Sequence, residues 1–517
     1  MKQFYLPNTT ETQYVKTNGG SVSLSKFFGE LQNLVTLLGH EGGKLSPSIY
    51  DTAQVLRFAP PDEGVEPALE WLLKHQESDG GWGNPLAPFM RDVPTLVTIL
   101  ALHQYNSQGR FNDAIQCGLE FLKRQNEQWE DFSVEDLLVG VELILPKLVE
   151  EAVQNKLNIS IQPYLKLSQL GAEKRKLIQN LKVIRGTPAA FSWESWGEVP
   201  HQTLLDPIYS VGNSPSATAV WISKAQTLGN HSHISDSRNY LRLASGATGL
   251  EIPGVVPFAW PIDRFEQSFA QYALAIGGLL THPSLEAAVT KQVDNLFKAL
   301  TPYGMPFTDY FIPDLDDTAA SIVVFRTLAK EVRGEVLRVF KHHSGYFTYP
   351  GEFHASTTAH ARAVHALGLL EKEEGIQAQA VLLRFQNANG IWPGDKWHKS
   401  WLYSTSHMLY ALHTSPHLTA VERGLAKLVE AQKEDGGWGM GRYSTTAETA
   451  YVMLALHFYK KQNPFIEQGY QRAKKWLLHN IYRQPTPHEN LWIGKELFKP
   501  YRIDRAFELT ALLQAFL

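Results

Sequence analysis

The chain has 517 residues, 44% of them apolar and 11% aromatic, with 48 Lys and Arg against 52 Asp and Glu. That near-balance, a net charge of −4, excludes the strongly basic footprint of a nucleic-acid binder, and the apolar share excludes a disordered chain. One cysteine, Cys117, excludes an internal disulfide or a Cys-rich metal site and points to a reducing, cytoplasmic setting. The first twenty residues show no apolar signal-peptide core, and no run reaches the ~18–20 apolar residues of a membrane span.

In chain order, apolar residues recur at intervals of three and four over 65–75, 96–105, 135–154, 265–280, 319–330, 359–371, 421–432 and 445–459. Strict alternation is rare, so the spacing predicts an all-α protein of helical hairpins. A weak repeat supports this. Residues 71–83 end a helix with Gln76, then a Gly turn, then Trp82; residues 428–439 repeat it with Gln432 and Trp438. A poorer copy runs from Gln386 through Gly390 to Trp392. The Gly supplies the positive φ of a helix end, and the Trp folds back over it. These residues read as architecture of an α/α barrel or solenoid. The Gly- and Pro-rich stretch 244–261 predicts a boundary between two barrels.

Asp314-Leu315-Asp316-Asp317-Thr318 precedes the apolar run AASIVVF. Acidic residues in a first helical turn are ordinary caps and dipole partners. The same residues also suit an acid. Burial and neighbouring carboxylates both raise a carboxyl pKa, and such a set titrates as a coupled group.

Other segments carry a family resemblance. The Gln…Gly-x-Trp clamps resemble the QW motifs of squalene-hopene cyclases, and Asp314 to Thr318 resembles that superfamily's DxDD(T) acid motif. Ser48-Ile-Tyr50-Asp51-Thr52-Ala53 and Val139-Gly140-Val141-Glu142-Leu143 with Pro146 are similar to segments of class II diterpene cyclases. So are Ser214-Pro215-Ser216-Ala217-Thr218-Ala219, Asp395-Lys396-Trp397-His398 and Leu491-Trp492-Ile493-Gly494-Lys495. The order is the family's, from about residue 46 to 500. Gln54 and Phe269 stand where that family commonly has Trp.

The resemblance implies two α/α barrels: a β domain of residues 1–40 and 255–517 holding the acid motif, and an inserted γ domain, 41–254. It makes Asp316 the general acid, with Asp314 and Asp317 orienting it. Ser356-Thr357-Thr358-Ala359-His360 resembles a segment whose histidine pairs with the acid, so His360 is its expected partner. No DDxxD motif for diphosphate ionisation is present, so the diphosphate is expected to stay on the product. Lys396, Arg185 and Trp397 are the expected substrate-binding residues, Lys396 and Arg185 as diphosphate ligands, with Lys495 and Arg502 as weaker candidates and magnesium as companion. Trp260, Tyr310, Phe311, Trp392 and Tyr403 are candidates for facing a cation.

The expected reaction is cyclisation of geranylgeranyl diphosphate to a bicyclic labdane, halimane or clerodane diphosphate, passed to a class I synthase or a phosphatase. The alternatives are a drimenyl diphosphate synthase using the farnesyl chain, and a non-catalytic barrel that binds a ligand.

Overall fold

The computed structural model describes residues 14–17, 20–129, 132, 137–181, 183–343, 345–350, 352 and 355–517. A short hairpin of β1 (Tyr14–Thr17) and β2 (Gly20–Ser23) leads into α1 (Leu24–Thr36). Ten helices follow: α2 (Ile49–Phe58), α3 (Glu66–Lys74), α4 (Asp92–Gln104), α5 (Asn112–Gln125), α6 (Val141–Gln154), α7 (Leu165–Gln179), α8 (Pro188–Phe191), α9 (Trp193–Trp196), α10 (Pro215–Thr227) and α11 (Ile234–Gly246). Then come α12 (Asp263–Ile276), α13 (Glu286–Ala299), α14 (Leu315–Thr327), α15 (Glu335–Arg338), β3 (Lys341–His342) and β4 (Gly345–Tyr346). The chain continues through α16 (Thr357–Leu370), α17 (Lys372–Arg384), α18 (Trp401–Ala411), α19 (Leu418–Glu430), α20 (Thr446–His457) and α21 (Pro464–Asn480). Strands β5 (Trp492–Ile493) and β6 (Leu497–Phe498) precede the last helix, α22 (Tyr501–Gln514). Among the described residues no helix is long and apolar enough to cross a membrane.

The larger barrel is a closed ring of α12, α14, α16, α18, α20 and α22, each packed on the next and α22 back on α12. α13, α17, α19 and α21 lie outside it, and α1 joins them by packing on α13 and α22. Inner and outer helices differ in sequence. α19 buries one stripe, Val421, Gly424, Leu425 and Leu428, at helical spacing. α14 is buried from Leu315 to Phe325 on every side. A polar residue in that stretch therefore lies among protein groups and not in bulk solvent. The smaller barrel rings α2, α4, α6, α9 and α10 in the same way.

Inner helices begin alike. Ser48, Ser214, Asp314, Ser356 and Thr445 each accept, through the side chain, the backbone N–H three residues on. The three Trp clamps are also alike. Trp82, Trp392 and Trp438 donate the indole N–H to Leu72, Leu382 and Leu428 at 2.7–2.8 Å. Gln76, Gln386 and Gln432 donate to the Gly carbonyl of their own turn and to a carbonyl in or beside the next outer helix.

Core packing divides the chain slightly away from the expected boundaries. Leu38 and Leu45 pack in the larger core together with Ala259, while Val255 and Val256 pack in the smaller barrel. The β5–β6 hairpin joins the two. Cross-strand partners Trp492 and Phe498 face the larger core, and Ile493 and Leu497, one residue on, face the smaller.

Candidate active site

The head of α14 is pinned before its side chains are considered. Asp314 N–H donates to the Met305 carbonyl at 3.1 Å, and Leu315 N–H to the Thr348 carbonyl at 2.9 Å. Asp314 is the N-cap, so Asp316 and Asp317 fall at the second and third helical positions. All three are buried. An ordinary cap faces water; these face the barrel interior. Ser268 of α12 donates a hydroxyl to Asp317 Oδ1. Asp314 Oδ2 has no hydrogen-bond partner among the described residues. Burial, then the charges of Asp317 and Asp316, hold the Asp314 carboxyl well above its ordinary range. Burial pushes Asp317 up to about 7, against the pull of the Ser268 hydroxyl.

Asp316 meets a cation. Its Oδ1 accepts from Arg362 Nε at 3.0 Å and also from Nη2. Among the described residues its Oδ2 meets only the Thr348 hydroxyl, at 3.4 Å. Arg362 is buried, reaches the Tyr403 hydroxyl through Nη1 at 3.0 Å, and lies 4.7 Å over the Phe269 ring. Phe269, Tyr403 and Trp492 form an aromatic wall beside it, with the His398 ring stacked on Tyr403 at 3.9 Å.

His360, expected as the acid's partner, is turned away. Its Nδ1 accepts the Tyr346 N–H at 3.1 Å and its Nε2 donates to the Ala378 carbonyl at 3.2 Å. The reason is helical phase: residues two apart do not share a face, whereas those four apart do. Thr358 and Arg362 share the acid's face, and His360 points to β4 and α17. Burial lowers the His360 pKa to about 4, so it stays neutral.

The expected diphosphate residues separate. Trp397 donates its indole N–H to Thr348 Oγ1 at 2.9 Å, which places it beside the acid. Lys396 pairs with Glu352 at 2.7 Å, and Glu352 also accepts the Tyr349 N–H. Asp395 accepts from Ser356 and Thr358 and so ties this loop to the head of α16. Arg185 is exposed, on a loop whose Gly186 carbonyl accepts the Ile312 N–H at 2.9 Å. A Cβ at Gly186, which has φ +69°, would meet the Tyr310 carbonyl at 2.5 Å. The loop of the smaller barrel therefore docks on the segment that leads to Asp314.

Two weaker candidates are occupied elsewhere. Lys495 donates to Glu194, Ser214 and Ser216 at 2.6–2.7 Å, and Arg502 pairs with Glu266 at 2.9 Å. Trp392 is a clamp residue, and Trp260 donates to the Glu41 carbonyl at the barrel junction. Tyr403 alone of the five expected aromatics touches the acid's partner. Phe311 lies 6.1 Å from Tyr349 at the adjoining loop, and Tyr310 is half-buried beside it.

No protein-family model matches the chain. Among characterised relatives, a (+)-kolavenyl diphosphate synthase from Herpetosiphon aurantiacus is 41% identical, covering 94% of this chain and 96% of its own. The chain belongs to the class II diterpene cyclases. A copalyl diphosphate synthase from Streptomyces cyslabdanicus is 28% identical over 93% of this chain and 94% of its own. The solved ent-copalyl diphosphate synthase from Streptomyces platensis superposes with a TM-score of 0.77 at 26% identity, covering 95% of this chain and all of that one.

In this class II cyclase Arg362, Thr348 and Phe269 meet at the acid although no motif marks them as a group. One signal was available. An arginine four residues after Thr358, within a helix apolar on every side, has to be buried and paired. Of the two departures from the family pattern, Gln54 falls in the smaller barrel, bonded to Tyr50 and Arg57, while Phe269 falls under Arg362.

Proposed function

We propose that this chain cyclises geranylgeranyl diphosphate to a bicyclic diphosphate of the clerodane, kolavenyl type. The likeness to the kolavenyl diphosphate synthase carries that reading. Asp316 protonates the terminal alkene, two rings close, and hydride and methyl shifts precede loss of a proton. The buried trio supplies the acid, because proton transfer to an alkene needs a carboxylic acid held protonated in a dry site. Phe269, Tyr403 and Trp492 offer ring faces to the cation.

The diphosphate is retained on the product, and Lys396 and Arg185 are the cations proposed to hold it. A magnesium ion is proposed to accompany it and neutralise part of its charge. Among the described residues no group of three or more His, Cys, Asp or Glu is placed to hold a metal. That fits an ion bound mainly through phosphate oxygens and water with one or two carboxylates. Glu352, beside Lys396, would be such a carboxylate. A cytoplasmic setting fits the single cysteine, and a class I synthase or a phosphatase is the class of enzyme to consume the product.

The test is incubation of the purified protein with farnesyl, geranylgeranyl and geranylfarnesyl diphosphates plus magnesium, with and without phosphatase, and identification of products by mass spectrometry and NMR. A clerodane alcohol from the C20 substrate, appearing only after phosphatase, is expected. Cyclic hydrocarbon without phosphatase would sink the retained diphosphate. A drimane alcohol from the farnesyl chain would shorten the substrate, and no turnover at all would leave a binding barrel.

A further inference from the structure

Arg362 is donor-only: its N–H groups can give hydrogen bonds and none can accept one. Two of them converge on Asp316 Oδ1, from Nε at 3.0 Å and from Nη2. A protonated oxygen there would set its own hydrogen against two others. The proton of the Asp316 acid therefore belongs on Oδ2. Among the described residues that oxygen meets only the long 3.4 Å contact from the Thr348 hydroxyl, and the Asp316 side chain keeps 11% of its surface accessible. The guanidinium itself is fixed: Nη1 on Tyr403, Nη2 within 3.4 Å of Thr358 Oγ1, and its plane over Phe269.

We propose that Arg362 is the positioning residue that assigns the proton to Asp316 Oδ2 and sets the strength of this acid. This rests on Asp316 being the acid, as read above. In the step, the Oδ2–H bond breaks and its electron pair stays on Asp316. The alkene π pair forms the new C–H bond, leaving the carbocation. Arg362 keeps its proton throughout and ends as half of an ion pair with the new carboxylate. It therefore stabilises the product of proton transfer more than the reactant, which makes the acid stronger. Asp314 and Asp317 act the other way, since their charges favour keeping a proton on the trio. A lysine offers a point charge in place of the fork that reaches Oδ1 twice.

The surroundings leave the trio as the titrating group. Facing Arg362 are Tyr272 from α12, Asp317 beside Asp316 on α14, Tyr403 and His407 from α18, and His398 from the loop before it; His365 faces His407, Asp395 faces Tyr403, and Tyr349 faces the carboxylates. Burial lowers His365 to about 3 and takes His398 and His407 well below their ordinary range. Burial also holds Tyr272, Tyr349 and Tyr403 above theirs.

The experiment is kcat and KM for cyclisation of geranylgeranyl diphosphate from pH 5.5 to 9.5 in wild type, Arg362→Gln, Arg362→Lys and Asp316→Asn, with thermal melts of each. Arg362→Gln should lower the plateau kcat by ~100-fold, the size expected for losing charged donors to a developing oxyanion, with KM much less affected. Its alkaline limb should move to higher pH, because an ionised trio without its countercharge holds a proton longer. Arg362→Lys should move the limb in the same direction by less. A limb that stays in place in both variants overturns the inference, as does a loss confined to KM or to the melting temperature. If Arg362→Gln does not fold, Arg362→Lys carries the test alone, and a wild-type profile there overturns it. Asp316→Asn separates the two readings. Activity in that variant removes the acid itself, whereas an inactive Asp316→Asn beside unshifted Arg362 variants removes only the role of Arg362.

Discussion

In the larger barrel, Asp314, Asp316 and Asp317 gather beside Arg362; at the mouth of the smaller barrel, Asp51, Glu194 and Glu496 gather beside Lys495. The ingredients match, three buried carboxylates and one buried cation, but the accounting differs. Lys495 gives its hydrogen bonds to Glu194, Ser214 and Ser216, and both charged side chains are sealed, at 0% and 1% exposure. Glu496 accepts the N–H groups of Ile49 and Tyr50 at the head of α2, and Asp51 accepts from Ser48 and Ser216. These groups come from segments hundreds of residues apart, so the cluster fastens the β5–β6 hairpin tip into the smaller barrel. The acid cluster leaves Asp314 Oδ2 sealed without a partner and, among the described residues, Asp316 Oδ2 with only the long Thr348 contact, on a side chain that stays 11% accessible. A buried charge cluster with its cation's donors saturated and no exposure is a fastening; one with a spare oxygen at an accessible edge can do chemistry.

Substitutions should divide along that line. The largest effect belongs to Asp316→Asn, which should lower cyclisation by ~1000-fold or more, within the range for losing a general acid, with a melt close to wild type. Lys495→Met should do the reverse. It leaves Glu194 buried and unpaired, which costs about 3–5 kcal/mol in urea denaturation, and the added Glu194→Gln should recover part of it. If Lys495→Met melts like wild type yet loses turnover, the fastening is misassigned and Lys495 returns as a diphosphate ligand.

The fastening should also show in the pH dependence of stability. Burial pushes Glu496 from its ordinary 4.5 up to about 8. Between those values the folded state holds a proton that the unfolded state has lost. Stability from this group is therefore fully present below about 4.5 and is lost as pH rises toward 8. Glu496→Gln should flatten that slope in melts taken across the interval. A slope unchanged by the substitution would assign it to other carboxyls, Asp51 first, which burial raises to about 6.

These residues also mark how far the sequence could be read. The helical spacing and the Gly-Trp clamps are local signals, and the helices and clamps lie close to where those signals place them, except that the stretch expected from 135 becomes helix only at Val141, with residues 135 and 136 outside those described. Asp314 to Asp317 was legible as a helix head and as a resemblance, but not as buried, because burial depends on the ring of inner helices that surrounds α14. His360 and Arg362 sit two residues apart on α16, and only the helical phase against Thr358 decides which one meets Asp316. Lys495 stood in a matched segment with no sign that Glu194 and Ser214, some three hundred residues earlier, would consume its donors. Long-range closure is what local pattern omits.

The clamps sharpen the comparison with the smallest expected effect. Gln432 ties its turn to α21 through the Gly436 and Gly469 carbonyls, both at 2.7 Å, and Gln76 ties its turn to α5 through Gly80 and Ala114 at 2.8 and 2.9 Å. One clamp is in the acid barrel and one in the smaller barrel, and the geometry is the same. Gln432→Ala and Gln76→Ala should each destabilise by about 1–2 kcal/mol, since two half-buried carbonyls lose a donor. Neither should change kcat, because the clamps hold outer turns and the acid is set by inner helices. A tenfold fall in kcat for Gln432→Ala alone would mean that the outer turns of the larger barrel bear on Asp316, and the line drawn between fastening and acid would have to move outward.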